Sequence, residues 1–168
     1  MLKKVGFGGG CHWCTEAVFS SLKGVNSVAQ GWIASKGENS SFSEGVIVEF
    51  DSEIIPLEIL VGIHLHTHSS TSKHSMREKY RSAVYTFDDK DISEITRAIF
   101  NSQKDFDSQI ITKILTFSVF KINREDSLNY YFTNPEKPFC ENYINPKLKL
   151  ILAQFSEFAH KIKLQHLE

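Results

Sequence analysis

With 168 residues, 41% of them hydrophobic, the chain is long enough to bury one sizeable core and is expected to form a single domain over residues 1–168. Acidic and basic residues nearly cancel to a formal net charge of -1, which supplies no electrostatic footprint for nucleic acid or for an anionic membrane. The opening MLKKVGFGGG lacks a signal-peptide pattern and no membrane-length apolar run follows, so a cytoplasmic protein is expected; three cysteines are too few for a disulfide framework and point to reactive or buried thiols.

Leu2 to Phe7 predicts a short strand that runs into Gly8, Gly9 and Gly10. Helical spacing at Val18, Phe19 and Leu22 then predicts a helix from Cys11 to Lys23, closed by Gly24. Val25 to Ala34 predicts a strand, Ser35 to Ser41 a loop, and Glu44 to Phe50 an alternating strand. Pro56 opens a helix whose apolar positions reach His64, and His66 to Lys79 is polar and irregular. Ser82 to Phe87 predicts a strand, Ile92 to Ser102 a helix, and Ile110 to Ile122 one further strand. Ser127 to Asn145 is rich in Asn, Pro and aromatic residues, and Leu148, Ile151, Leu152, Phe155 and Ile162 describe a final amphipathic helix. This order predicts an α+β sandwich, a mixed sheet of four to six strands packed with helices.

The residues with the clearest chemistry lie in Gly8-Gly9-Gly10-Cys11-His12-Trp13-Cys14, at a strand-to-helix turn. Glycines there expose the N–H groups opening the helix, and a thiol at that point has its thiolate favoured by those donors and by the helix dipole. Cys11 is therefore the candidate nucleophile. Cys14 shares a helix face with Val18 and is expected to face the core, although Cys11 and Cys14 also form a C-x-x-C pair. Glu44 lies on the strand face of Val46, Val48 and Phe50. A carboxyl group on such a face has its charged form destabilised and can donate a proton; the alternative is a strand-end glutamate reaching solvent. His64, His66, His68 and His74 form the one histidine cluster, but no carboxylate or cysteine ligand lies nearby in sequence, and no metal site is expected. Tyr80 precedes a strand, where its phenol could hydrogen-bond an oxyanion.

Gly8 to Val25 resembles the GGCFWxxE signature and first helix of the A-type peptide methionine sulfoxide reductases, and Ser43 to Asp51 resembles that family's AE-V-V-x-V-x-YD strand. Ile63-His64 is similar to its IHDP, Tyr80 to Tyr85 to its QYRSAI-(F/Y), and Tyr130 to Leu148 to its YYxxNPxxPYCxxVIxPKL tail. The resemblance implies a ferredoxin-like α/β roll and reduction of methionine (S)-sulfoxide in proteins, peptides or the free amino acid. It implies Cys11 as nucleophile, Glu44 as proton donor assisted by Tyr80, and His12 and Trp13 as substrate contacts. The resulting sulfenic acid would condense with Cys140, expected in a mobile tail, or with Cys14, and thioredoxin or a similar dithiol would restore the thiols without a metal or organic cofactor.

The chain departs from the family pattern at His12, where the family has Phe, and in a shortened segment between Trp32 and Glu44 that removes one of two oxygen-binding tyrosines. The aspartate of the family's GNDxGxQYRS and the glycine two positions after it fall on Ser75 and Arg77, and its YHQ on Ser127-Leu128-Asn129. Two other readings follow from these departures: a redox-sensing dithiol built on Cys11 and Cys14, and a non-catalytic binding module.

Overall fold

Alternation of side chains along the strands decides where the core lies. The computed structural model describes every residue from Met1 to Glu168. In β1 (Leu2–Gly8) Val5 and Phe7 turn to one face, and in β3 (Ser43–Asp51) Glu44, Val46, Val48 and Phe50 do the same. The two strands run antiparallel with Val5 opposite Val48 and Phe7 opposite Val46, so the apolar sets meet. On the far side of β3, β2 (Val25–Ala34) pairs antiparallel with Gln30 opposite Val46 and Trp32 opposite Glu44. On the far side of β1, β4 (Ala83–Thr86) sets Val84 opposite Phe7. Helices α1 (His12–Ser20) and α2 (Leu57–Thr67) connect these strands in the order βαββαβ, with spatial order β4-β1-β3-β2, which is the ferredoxin-like arrangement expected. Helices α3 (Ile92–Ser102), α4 (Tyr130–Thr133) and α5 (Asn145–Gln154) complete the chain. Val18 and Phe19 of α1, Leu60 and Ile63 of α2, Ile95 of α3 and Leu148 of α5 share one buried core with the inner sheet face.

Ile110 to Ile122, expected as one strand, is two. β5 (Lys113–Thr116) and β6 (Val119–Ile122) occupy opposite edges of a six-stranded sheet of order β5-β4-β1-β3-β2-β6. Phe117 and Ser118 alone separate them, so the edges have to meet. The Phe117 N–H donates to the Thr86 carbonyl at 2.9 Å and the Ser118 N–H to the Ala34 carbonyl at 3.1 Å. The sheet is thereby curled into a roll, with its two edge strands joined at this corner. β5 runs parallel to β4, whereas the remaining pairs are antiparallel. Ile33, Ala83 and Tyr85 fill the inside of the roll.

Two helix ends also differ from expectation, and for one shared reason. α1 stops at Ser20 and α5 at Gln154 because their following residues pair with each other: the Lys23 N–H donates to the Phe158 carbonyl at 2.8 Å and the His160 N–H to the Ser21 carbonyl at 2.7 Å. Gly24, at φ 88°, turns the chain into β2 and does not close α1, and Ile162 lies beyond the last helix, exposed. Cross-chain pairing of this kind satisfies backbone groups as well as further helical turns would.

The roll tolerates no side chain at Gly31, whose Cβ would lie 2.2 Å from the Lys121 carbonyl oxygen of β6. Gly31→Ala is expected to destabilise the fold by about 1–3 kcal/mol through displacement of β6. Gly62→Ala, in α2 with nothing within 4 Å of the added Cβ, is expected to stabilise it by about 0.5–1 kcal/mol. Urea unfolding of the two variants beside the parent chain checks both signs.

Candidate active site

Gly9 decides how the chain leaves β1. Its φ of 143° belongs to glycine, and a Cβ there would lie 2.5 Å from the His68 ring. The turn is held from below by His64, whose Nε2 lies 2.8 Å from the Gly8 carbonyl, and from the side by Arg77, whose guanidinium donates to the Gly9 and Tyr80 carbonyls, both at 2.8 Å. Cys11 then occupies the residue before α1, with extended backbone at φ -57° and ψ 132°.

At that position the sulfur faces the Cys14 thiol and the N–H groups of Cys14 and Trp13. The hydrogen bond from Cys14 is the largest influence and lowers the Cys11 pKa; partial burial opposes it, the two amides add to it, and the charge of Glu44 opposes it more weakly. Cys14 moves the other way: its thiol pKa is pushed up, first because its proton is held by Cys11 and then by burial. Of the two thiols, Cys11 is therefore the one biased toward ionisation and Cys14 the one that keeps its proton. Cys14 packs in the core as its spacing with Val18 predicts.

Glu44, 5% exposed, reaches the same turn from β3. Its Oε1 accepts the His12 main-chain N–H at 3.1 Å and lies 3.3 Å from His12 Nδ1, and its Oε2 lies 3.5 Å from Lys79 Nζ. Glu44 is thus a buried strand residue with donors on both oxygens and not a strand-end carboxylate in solvent. Lys79 stands between Glu44 and the Tyr80 phenol, and its pKa is raised, first by the hydrogen bond to Tyr80 and then by the Tyr80 and Glu44 charges. Cys11, His12, Glu44 and Tyr80 are therefore brought to one end of the sheet.

Trp13 forms an aromatic wall beside the thiol. Its ring stacks on Tyr130 at 4.1 Å and 6°, and Phe139 meets it edge-on at 5.6 Å. Tyr130 is held by Glu16, whose carboxylate accepts the Asn129 N–H at 2.9 Å and the Tyr130 N–H at 3.3 Å, so it caps the short helix α4. His12 turns away from this wall. It is buried, 7% exposed, with Nδ1 at 3.3 Å from the Gly31 carbonyl and Nε2 at 3.1 Å from Asn123 Nδ2, and its ring meets Trp32 edge-on at 5.4 Å.

Cys140 requires a correction. A mobile tail was expected around it, but the residue begins a π-helical turn, Cys140–Ile144, and is fully buried in the core shared with Cys14. Burial pushes its thiol pKa up. The segment is ordered because its aromatics are used: Tyr130 and Phe139 pack on Trp13, and the Tyr131 hydroxyl donates to Asn145 Oδ1 at 2.5 Å. Nearby Lys147 of α5 is half-buried, donates to the Thr67 carbonyl and lies near enough to Cys14 and Cys11 for their charges to act on it.

The histidines of the 64–74 segment do not converge, and no group of three His, Cys, Asp or Glu side chains is arranged to hold a metal ion. His64 and His68 stack at 4.1 Å under the glycine turn, where burial holds both imidazoles neutral: His64 lies well below its ordinary value and His68 is lowered to about 3. The largest cavity, of about 600 Å³, is lined by Glu38, Arg77, Arg81 and Lys113 and contains neither Cys11 nor Glu44, so it is not this site. Sequence reasoning gave no role to Gln30, Asn123 or Lys79. Gln30 could have been found, because a polar residue on the apolar face of β2 is a signal; Asn123 and Lys79 reach the site through loops that carry no periodicity.

The family model for peptide methionine sulfoxide reductase matches residues 3–159. The chain is 32% identical to the peptide methionine sulfoxide reductase MsrA of Psychrobacter cryohalolentis, over 90% of this chain and 95% of the relative. It is 30% identical to that of Psychrobacter sp. strain PRwf-1, over 92% and 97%. Among solved structures the fold is similar to reduced Mxr1 from Saccharomyces cerevisiae, with a TM-score of 0.74 at 20% identity over 84% of this chain and 91% of that one. It is also similar to methionine sulfoxide reductase A of Corynebacterium diphtheriae, with a TM-score of 0.68 at 19% identity over 80% and 76%. A family match spanning nearly the whole chain, with relatives at this identity over their full length, shows that the protein belongs to the peptide methionine sulfoxide reductase family.

Proposed function

We propose that this protein reduces methionine (S)-sulfoxide in oxidised proteins, peptides or the free amino acid, with Cys11 as nucleophile and Glu44 as proton donor. The observation that carries the reading is the placement of a thiol with lowered pKa and a buried carboxyl group on either side of one peptide group, the His12 N–H. The Cys11 thiolate attacks the sulfoxide sulfur while Glu44, with Tyr80, gives a proton to the oxygen. The bond so formed between the two sulfurs breaks as the hydroxyl passes from methionine sulfur to Cys11, which becomes a sulfenic acid, and one electron pair of the broken bonds stays on methionine sulfur while the other forms the Cys11 S–O bond. The charge left on Glu44 is received by the His12 N–H and the Lys79 ammonium, donors already aimed at it. Trp13, backed by Tyr130, is the surface for the substrate's methyl-bearing end.

Cys14, the neighbour that most lowers the Cys11 pKa, is the first thiol placed to attack the sulfenic acid, forming the Cys11–Cys14 disulfide and releasing water. The Lys147 cation favours the Cys14 thiolate in that step. Cys140, close enough to Cys14 to influence its ionisation, is next in line: its attack on Cys14 frees Cys11 and leaves a Cys14–Cys140 disulfide. Thioredoxin or another dithiol then reduces the disulfide, a reading supported by the solved Mxr1 complex with Trx2, whose fold this chain shares at a TM-score of 0.61 and 20% identity. No step requires a metal or organic cofactor. No helix is long and apolar enough to cross a membrane, which fits the cytoplasmic location inferred from composition. The Cys11–Cys14 contact also favours a second reading, a dithiol sensor that forms this disulfide without turning over sulfoxide.

With resolved epimers and dithiothreitol, the parent chain is expected to reduce the S form and leave the R form. Cys11→Ser is expected to abolish turnover, and Glu44→Gln to lower kcat by about a hundredfold or more. Turnover unchanged in Cys11→Ser would overturn the assignment, and disulfide formation without turnover would establish the sensor. Because the Cys11 pKa is lowered, its iodoacetamide alkylation is expected to rise with pH through a midpoint below that of an ordinary thiol; Cys14→Ala, which removes the largest lowering influence, should move that midpoint up. Peptide mapping after one equivalent of sulfoxide is expected to find Cys11–Cys14 at early times and Cys14–Cys140 later. Finding Cys11–Cys140 alone would remove Cys14 from the sequence of steps.

A further inference from the structure

A chain of side-chain amides behind the site determines which ring nitrogen of His12 carries hydrogen. It begins at the Ser127 carbonyl, which can only accept. Gln30 must therefore present its NH2 there, at 3.0 Å, and the same nitrogen meets Glu16 Oε1 at 3.0 Å. That orientation leaves Gln30 Oε1 as an acceptor for Asn123 Nδ2 at 2.7 Å, while Asn123 Oδ1 accepts the Arg124 N–H at 2.9 Å. The second N–H of Asn123 then points at His12 Nε2, 3.1 Å away. An amide NH2 has no acceptor to offer, so Nε2 is the bare nitrogen and Nδ1 carries the hydrogen. Nδ1 donates that hydrogen to the Gly31 carbonyl at 3.3 Å, and Glu44 Oε1, already bonded to the His12 main-chain N–H, lies beside the same ring edge at 3.3 Å from Nδ1.

We propose that His12 is a positioning residue for the acid: its ring, fixed as the Nδ1–H tautomer between Asn123 and the Gly31 carbonyl, anchors the main-chain N–H that holds Glu44 Oε1 and keeps its hydrogen-bearing edge beside the carboxylate formed when the proton passes to the sulfoxide oxygen. The inference rests on the proposed role of Glu44. It also explains how a residue beside the nucleophile can be polar without exposing the site to water, since His12 is 7% exposed and its ring nitrogens are matched by Asn123 on one side and by Gly31 and Glu44 on the other. The chain of amides ends at the Asn129 and Tyr130 N–H groups on Glu16, so the acid and the aromatic wall on Trp13 are tied to one set of hydrogen bonds. No covalent step is added; the oxygen transfer and its proton remain as described for Cys11 and Glu44.

Long-range ¹H–¹⁵N spectra of the histidine rings test the tautomer directly, and steady-state kinetics with dithiothreitol test its consequence. The parent chain is expected to show His12 with hydrogen on Nδ1, and Asn123→Leu to lose that preference while the ring stays in place. His12→Phe is expected to lower kcat about tenfold with KM within about twofold, as loss of the ring's anchoring hydrogen bonds and of its N–H dipole beside Glu44 predicts. His12→Asn, whose Nδ2 replaces the Nδ1 donor, is expected to recover most of that loss, and Asn123→Leu to lower kcat in the same direction. Hydrogen on Nε2 in the parent chain, or kcat unchanged in either His12→Phe or Asn123→Leu, overturns the proposal. Should His12→Phe fail to fold, the tautomer and Asn123→Leu decide the matter. A parent chain without turnover overturns the enzymatic reading itself, a result that the ring spectrum distinguishes because it reads the tautomer without catalysis.

Discussion

The hydrogen bond from the His12 main-chain N–H to Glu44 Oε1, at 3.1 Å, is the constraint on which the site depends. It joins two groups that would each be costly alone: an N–H at the start of a helix, which has no intrahelical partner, and a carboxyl group withdrawn from water. Strand register prepares the meeting. Gly8, the last residue of β1, lies opposite Gly45, so the turn leaving β1 has to pass beside Glu44. Because Cys11 is the neighbour of the bonded residue, the backbone sets its relation to the acid, and backbone moves far less than a rotamer. This is how a small fold can hold reacting groups within a fraction of an ångström without a tightly enclosed pocket.

The parts of this arrangement legible in the sequence are those governed by short-range rules. Period-two alternation placed Glu44 on the buried face of β3, and a glycine turn before a helix marked Cys11. β2 and α3 were recovered with their boundaries, since each is a clean run between turn residues. What was not legible depends on contacts distant in sequence. A two-residue corner at Phe117-Ser118 is invisible to periodicity because β5 and β6 are both apolar-patterned; only the requirement that two sheet edges meet separates them. The burial of Cys140 was missed for a related reason. Asn and Pro signal irregular backbone, yet Tyr130, Tyr131 and Phe139 supply enough aromatic surface to fix that backbone against Trp13 and α5.

The departures from the family pattern have physical counterparts in the structure. Arg77, where the resemblance sets a glycine, bonds four backbone carbonyls, those of Gly9, Ser69, Ser72 and Tyr80, and so clamps the polar loop onto the glycine turn. Burial lowers its pKa, but a guanidinium with this many acceptors remains a cation and a rigid fork. Lys79 brings a positive charge to Glu44. His12 replaces an apolar ring by one that bonds the Gly31 carbonyl and Asn123. Each change adds polar contacts at the same end of the sheet, around Cys11 and Glu44.

The three thiols show why their order matters more than their number. Cys11 is half-buried with donors around it, and its pKa is lowered; Cys14 and Cys140 are buried, and theirs are raised. A thiol with a raised pKa is a poor first nucleophile but a strong one once deprotonated, because nucleophilicity grows with basicity. Oxidation of Cys11 changes the situation of Cys14 at once. The thiolate that held its proton has become a neutral sulfenic acid, so the largest influence raising the Cys14 pKa disappears while Lys147 stays in place. In the proposed reaction, chemistry at the first sulfur thus activates the second, and the resolving step is held back until there is a sulfenic acid to resolve.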